Sequence, residues 1–144
     1  MSYAEHDGVE LAYERDGPRS GETVVLVEGL GYGRWMWDWQ HDSLVDDYDV
    51  IRWDNRGTGE SDEPAGPYTI EAMAGDLEAV LADADVESAH VVGASMGGMI
   101  AQQYVTTYDR AESVSLFCTS HGGAEALPTP EETLERMFEV PPEY

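Results

Sequence analysis

The stretch HVVGASMGGMI at residues 90–100 constrains the fold of this chain more than any other. An apolar run leads into Ser95, and Gly93 and Gly97 flank it two residues away on either side. Small residues at these positions let the backbone reverse sharply between a strand and a helix. We therefore predict a buried strand, a turn that exposes the Ser95 hydroxyl, and a helix that begins with the Met96 amide. The alternative is a glycine-rich turn in which Ser95 is only a helix N-cap.

Strand-like and helix-like segments alternate along the remaining chain. An apolar–polar alternation at 8–14 indicates an edge hairpin, and the continuous apolar run at 23–27 indicates a strand covered on both faces. Further strands are predicted at 49–53, 89–92 and 113–118, and helices at 34–45, at 68–84 with Thr69 as N-cap, and at 96–108. This order predicts an α/β fold with a mostly parallel sheet and helices on both faces.

The character of the sequence changes after Ser120. A loop rich in glycine and proline is followed by Thr129-Pro130-Glu131-Glu132, which has the pattern of a capping box with proline at the first helical position. We predict a helix that runs to about Glu139 and ends before Pro141-Pro142. Residues 1–144 are interpreted as a single, incomplete domain in which 121–144 begin a cap or lid region.

The charge of the chain is strongly acidic. Thirty Asp and Glu residues face seven basic residues, all arginine, which gives a net charge of −23. The acidic residues are spread over the whole length, as in proteins of halophiles that accumulate salt. With so few cations to neutralise phosphates, nucleic acid and anionic membrane surfaces are excluded as partners.

The N-terminus has neither the basic flank nor the apolar run of a signal peptide, and no apolar stretch is long enough to span a membrane. We therefore expect a cytoplasmic protein. Cys118 is the only cysteine and lies in an apolar run, so we predict a buried thiol and no internal disulfide.

Three motifs occur in order along the chain: EGLG at 28–31 after the first buried strand, DNRGTGESD at 54–62 after the next, and GASMGG at 93–98. In this order and at these spacings they resemble the N-terminal half of the α/β-hydrolase family. The SMGG turn followed by Ile100-Ala101-Gln102 looks like that of small-molecule esterases, enol-lactonases and cofactor-free haloperoxidases.

The resemblance implies a serine hydrolase that needs no cofactor and acts on a small carboxylic ester, thioester or lactone. Ser95 would be the nucleophile that forms an acyl-enzyme, and the backbone amides of Leu30 and Met96 would form the oxyanion hole. One residue departs from the family pattern, because Glu28 replaces the histidine of H-G-x-G. A carboxylate there is expected to disfavour the oxyanion.

The triad acid and histidine are the second departure, since the family takes them from loops after later strands that this chain does not contain. Among the histidines, His90 is assigned to the opposite end of the sheet, and His6 and His41 to the surface. His121 follows the strand next to that of Ser95 and is the remaining alternative base, although it matches no family histidine.

We therefore expect a truncated or split hydrolase, with self-association or a complementing C-terminal chain at the exposed strand 113–118. The alternative function is that of a non-catalytic remnant or binding module, which keeps the pocket of the fold but does not turn over a substrate.

Nucleotide and metal sites are not supported by the sequence. A P-loop needs a lysine that the chain lacks, and Arg34 occupies the third position of the G-x-G-x-x-G pattern begun at Gly29. The spacing of His41, Asp42, Asp46 and Asp47 does not converge on a metal, so no metal site is predicted.

The loop around Arg56 is interpreted as a structural turn with local hydrogen bonds. The tryptophans between 35 and 39 are assigned to the core or, alternatively, to a pocket wall.

Overall fold

A six-stranded sheet organises residues 1–138, the part of the chain that the computed structural model describes. Its strands are β1 (Ser2–His6), β2 (Val9–Asp16), β3 (Thr23–Val27), β4 (Asp49–Trp53), β5 (Ala89–Ala94) and β6 (Ala111–Phe117), in the order β1-β2-β4-β3-β5-β6. The pairs β1–β2 and β2–β4 are antiparallel, and the other three are parallel. The predicted mostly parallel α/β sheet is confirmed, with the hairpin at one edge.

Helices follow the strands as the sequence indicated. They are α1 (Asp38–Leu44), α2 (Ile70–Asp83), α3 (Met96–Thr107) and α4 (Glu131–Phe138). The hydroxyl of Thr69 accepts a hydrogen bond of 3.1 Å from the amide of Ala72, so the predicted N-cap of α2 is present. The predicted single helix at 34–45 is divided, because a 3₁₀ turn at Arg34–Trp37 precedes α1. The predicted stop at 141–142 lies outside the described residues.

The two faces of the sheet are covered by different helices. Residues 25 and 27 of β3 pack under α2 and α3, while residues 24 and 26 face the 3₁₀ turn and Trp37. This is the period of two that a strand buried on both sides requires. The larger core adds Ile51, Leu77, Leu81, Val91 and Ile100, and each such buried side chain contributes about 1.5–3 kcal/mol to folding.

β6 is an edge strand of the sheet among residues 1–138, and its side chains are largely exposed. Leu116 and Phe117 are 43% and 53% exposed. Cys118 follows with a positive φ of 48° and is exposed, so the predicted burial of the thiol is wrong. The apolar run was correctly interpreted as a strand, but the outer side of that strand has no neighbour in the described chain to cover it.

A buried carboxylate, that of Asp76 in α2, joins three parts of the fold. It accepts two hydrogen bonds of 2.6 Å from the guanidinium of Arg56 and one contact of 2.7 Å from His6 Nδ1. The sequence had predicted local hydrogen bonds for Arg56 and a surface position for His6. The prediction for Arg56 is corrected, since its guanidinium pairs with a carboxylate of α2 that would otherwise lose its solvation, whereas His6 stays partly exposed, with 26% of its side chain accessible.

No helix within residues 1–138 is both long enough and apolar enough to cross a membrane.

Candidate active site

Ser95 stands alone between the end of β5 and the first residue of α3. Its backbone has φ 53° and ψ −119°, a conformation that residues with a Cβ rarely adopt. The residue is exposed, and the amide of Met96 lies at the N-terminus of α3, where negative charge is favoured. The predicted strand–turn–helix is therefore present, and the strained turn presents the hydroxyl to solvent.

The glycines around Ser95 permit close backbone contacts. A Cβ at Gly97 would lie 2.5 Å from the carbonyl oxygen of Glu28, and one at Gly98 would lie 2.5 Å from the Cβ of Thr119. Both distances are too short for real atoms. The G-x-S-x-G-G pattern thus lets the start of α3 pack directly against the ends of β3 and β6.

The turn after β3 lies against the serine. A Cβ built on Gly29 would be 3.5 Å from the Cβ of Ser95, which is van der Waals contact. Leu30, the next residue, is 57% exposed, and Gly31 has a positive φ of 74° that turns the chain away. Leu30 and Met96, the predicted oxyanion-hole residues, therefore belong to the two turns that meet at Ser95.

Glu28 is fully buried at the end of β3. Its Oε1 accepts hydrogen bonds of 2.8 Å from the backbone amide of Asn55 and from the hydroxyl of Thr58. Burial raises the pKa of this carboxyl to about 8, in spite of these two donors. The sequence had suggested a carboxylate charge beside the oxyanion hole. The side chain instead bonds to the loop after β4 and is mainly protonated at neutral pH.

The loop after β4 is built around the buried carboxylate of Asp54. It accepts hydrogen bonds from the backbone amides of Arg34, at 2.7 Å, and Glu60, at 3.0 Å, and it also pairs with the Arg34 guanidinium. The predicted structural turn is present at 54–62, and it fixes the position of the 3₁₀ turn that follows the Leu30 segment.

The edge strand β6 also contributes to the site, which the sequence did not indicate. The amide of Ser95 donates a hydrogen bond of 2.9 Å to the carbonyl of Phe117, and the hydroxyl of Thr119 donates one of 2.6 Å to the carbonyl of Ser95. The only available signal was that parallel strands end at the same edge of a sheet.

No hydrogen bond within residues 1–138 joins a histidine to Ser95. His121 lines a separate cavity of about 390 Å³ beside α3, together with Met99, Gln102 and Thr106. His90 Nδ1 contacts the Ser113 hydroxyl at 2.8 Å near the start of β6, at the end of the sheet opposite Ser95. His41 Nε2 lies 3.2 Å from the exposed Asp16, and its side chain is 13% exposed, so the residue is partly buried at the surface.

One group of described residues could bring three ligand atoms within 4.8 Å of one another: Glu22, His90 and Glu112. Both glutamates are exposed, and each lies within 4.0 Å of the imidazole as an ion-pair partner would. This group is remote from Ser95, and no further feature at this position indicates a bound ion.

The tryptophans differ in their environment. Trp37 is buried, whereas Trp35 and Trp39 are 60% and 85% exposed. An apolar cavity of about 450 Å³ lies between the 3₁₀ turn and the β5–β6 edge and is lined by Leu26, Met36, Trp37, Leu44, Val92, Ala94 and Phe117. Trp37 therefore serves both as a core residue and as a cavity wall.

Residues 22–141 match the family model described as alpha/beta hydrolase fold. A putative carbamate hydrolase, RutD, of Azorhizobium caulinodans is 36% identical over 97% of this chain and 50% of the relative.

Two solved structures have the same arrangement. The enol-lactonase from Burkholderia xenovorans LB400 is 37% identical, with a TM-score of 0.79 over 83% of this chain and 47% of that one. Est816, an N-acyl homoserine lactone degrading enzyme, is 33% identical, with a TM-score of 0.78 over 82% of this chain and 45% of that one. This chain thus spans about half the length of these relatives.

Proposed function

Because the chain belongs to the α/β-hydrolase family, we propose that it is the nucleophile-bearing half of a serine hydrolase. The reaction would be hydrolysis of a carboxylic ester, thioester or lactone through an acyl-enzyme on Ser95. The observation that carries the proposal is the exposed Ser95 in a turn with φ 53°, at the N-terminus of α3. The Ser95 side chain makes no cap hydrogen bond to α3, so the N-cap alternative does not explain the strained backbone, whereas a nucleophile needs this exposure.

The backbone amides of Leu30 and Met96 are proposed as the oxyanion hole. Gly29 lies so near Ser95 that a Cβ on it would touch the serine side chain, and Met96 begins α3, so both turns approach the carbon that the serine would attack. Two converging amides would stabilise the negative charge that develops on the carbonyl oxygen.

The substrate class is proposed from the relatives and the cavity. The relatives named above are described as acting on a carbamate, an enol-lactone and an acyl homoserine lactone, all small acyl compounds. The apolar cavity beside β5 and β6 would accept the hydrocarbon part of such a substrate. An uncharged substrate also suits a surface with a net charge of −23.

We propose that the catalytic acid and histidine come from a polypeptide that pairs with β6. Support comes from the free edge of β6 and from the exposed Leu116 and Phe117 beside the apolar cavity. Among the described residues, no histidine contacts Ser95. The same observation favours the second candidate, a non-catalytic binding module, if no such polypeptide exists.

A fluorophosphonate probe tests the nucleophile directly. With the C-terminal half of the carbamate hydrolase added to supply the acid and histidine, intact-mass analysis should give one adduct. This adduct should be lost in Ser95→Ala and kept in the matched control Ser20→Ala, an exposed serine in the loop before β3. An adduct of unchanged yield in Ser95→Ala would reject the acyl-enzyme proposal. Absence of any adduct, both with the chain alone and with the C-terminal half of the carbamate hydrolase added, would favour the binding module.

A further inference from the structure

The geometry around Glu28 points to a positioning residue: we propose that its side chain fixes the turn that carries the Leu30 amide against Ser95 by tying that turn to the loop 55–58. The inference rests on the proposed function, because it concerns the oxyanion hole of that reaction. Glu28 itself would touch neither the substrate nor Ser95. It would act through the turn, and its protonation would determine the pH range in which the oxyanion hole is formed.

Glu28 is held at both its side chain and its backbone. Its carboxyl accepts the two hydrogen bonds from Asn55 and Thr58, and its carbonyl oxygen accepts a longer one, 3.4 Å, from the Asn55 side-chain amide. The same carbonyl packs against Gly97 at the start of α3. Two residues later the chain reaches the Leu30 amide, so displacement of Glu28 must move that amide.

The second carboxyl oxygen, Oε2, is buried and has no hydrogen-bond partner among the described groups. The charged groups that face the carboxyl are Asp54, from the loop after β4, and Arg34, from the 3₁₀ turn. They pair with each other, so neither supplies an uncompensated charge. From α3 the contact is made by Gly97, which has no charge.

These surroundings favour the neutral acid. Burial raises the pKa of Glu28 to about 8 and outweighs the two hydrogen bonds, which lower it, while the small effects of Asp54 and Arg34 oppose each other. Below this pH the side chain fills its site as an uncharged group. Above it, a buried carboxylate would be repelled from its site and would also oppose an oxyanion at the neighbouring hole. The oxyanion hole should therefore stabilise an oxyanion less well above about pH 8.

The first test follows the Leu30 amide in ¹H–¹⁵N NMR spectra of the chain between pH 6 and 10. We expect a transition with a midpoint near pH 8, absent in Glu28→Gln, which keeps an uncharged acceptor for Asn55 and Thr58. The control Glu63→Gln removes an exposed carboxyl and should retain the transition. A Leu30 resonance that does not change over this range in the wild type would overturn the proposal.

The second test measures the rate of fluorophosphonate labelling of Ser95 over the same pH range, with the C-terminal half of the carbamate hydrolase present to supply the acid and histidine. Loss of one oxyanion donor costs about 10²–10³ in rate, so partial displacement should slow the wild type by about tenfold relative to Glu28→Gln above pH 9. A Leu30 transition without any labelling would support the role of Glu28 and reject the hydrolase. If the wild type and Glu28→Gln are labelled at equal rates and the Leu30 resonance does not change with pH, the positioning role of Glu28 is rejected and the serine-hydrolase proposal stands.

Discussion

The hydroxyl of Thr119 donates a hydrogen bond of 2.6 Å to the carbonyl oxygen of Ser95. The residue just beyond the edge strand β6 therefore holds the turn that presents the candidate nucleophile. This contact joins the free edge of the sheet to the site, so a polypeptide that binds the edge would act directly on the geometry of the serine.

Removal of this hydrogen bond should loosen the turn. Thr119→Val keeps the shape of the side chain, and we expect it to lower the free energy of unfolding by about 0.5–1.5 kcal/mol and to slow labelling of Ser95. Urea unfolding and probe kinetics measure the two effects. The control Thr106→Val removes a bond within α3, to Gln103, and should leave labelling unchanged. Equal labelling in both variants would contradict a role for Thr119.

Close packing at Gly97 should make it intolerant of a side chain. A Cβ there would overlap the carbonyl oxygens of Val27 and Glu28, which are backbone atoms that cannot rotate away. We expect Gly97→Ala to destabilise the fold by about 3 kcal/mol or more. Gly123→Ala is the matched control, because that site has open space and only the strain of its φ of 76°, about 1–2 kcal/mol. Thermal melts of similar midpoint would contradict this packing.

The free energy of unfolding should fall with rising pH because of Glu28. Its carboxyl has a pKa of about 8 in the folded chain, against 4.5 in the unfolded one, so the folded state prefers the proton. The stabilisation is full below pH 4.5 and is lost as pH rises to about 8, at up to about 1.4 kcal/mol per pH unit. The free energies of unfolding of the wild type and of Glu28→Gln are measured with urea between pH 5 and 10. Their difference removes the contribution of the other carboxylates and leaves the pH dependence due to Glu28. A difference that is independent of pH would mean that Glu28 is already ionised.

The acidic surface should make stability depend on salt. With a net charge of −23, self-repulsion is large at low ionic strength and is screened when the Debye length falls to about 3 Å at 1 M salt. We expect Tm to rise between low salt and molar KCl. A flat or falling Tm would count against the proposed adaptation to salt.

Ester hydrolysis by the chain alone should not exceed a trace. Among residues 1–138 no histidine is hydrogen-bonded to Ser95, and loss of triad members costs about 10⁴–10⁶ in kcat. Hydrolysis of p-nitrophenyl acetate should be compared among the wild type, Ser95→Ala and His121→Ala. Robust turnover that both substitutions abolish would identify His121 as the base and remove the need for a second polypeptide.

Local sequence signals determined much of the fold and of the candidate site. The turn at Ser95, the Thr69 cap of α2 and the strand β3 each depend on neighbouring residues, because backbone reversal, capping and period-two burial are short-range effects. The family motifs likewise predicted that Leu30, Ser95 and Met96 belong to one candidate site.

Tertiary structure alone decided which partners the polar groups have. The pKa of Glu28 is raised to about 8 because the surrounding elements bury it, and Arg56 is partly buried where Asp76, twenty residues away on α2, accepts its hydrogen bonds. Cys118 is exposed because β6 is the last strand at its edge of the described sheet. Solvation and charge depend on the elements that pack around a residue. The sequence therefore predicts where chemistry can occur, and long-range packing determines the protonation and exposure with which it occurs.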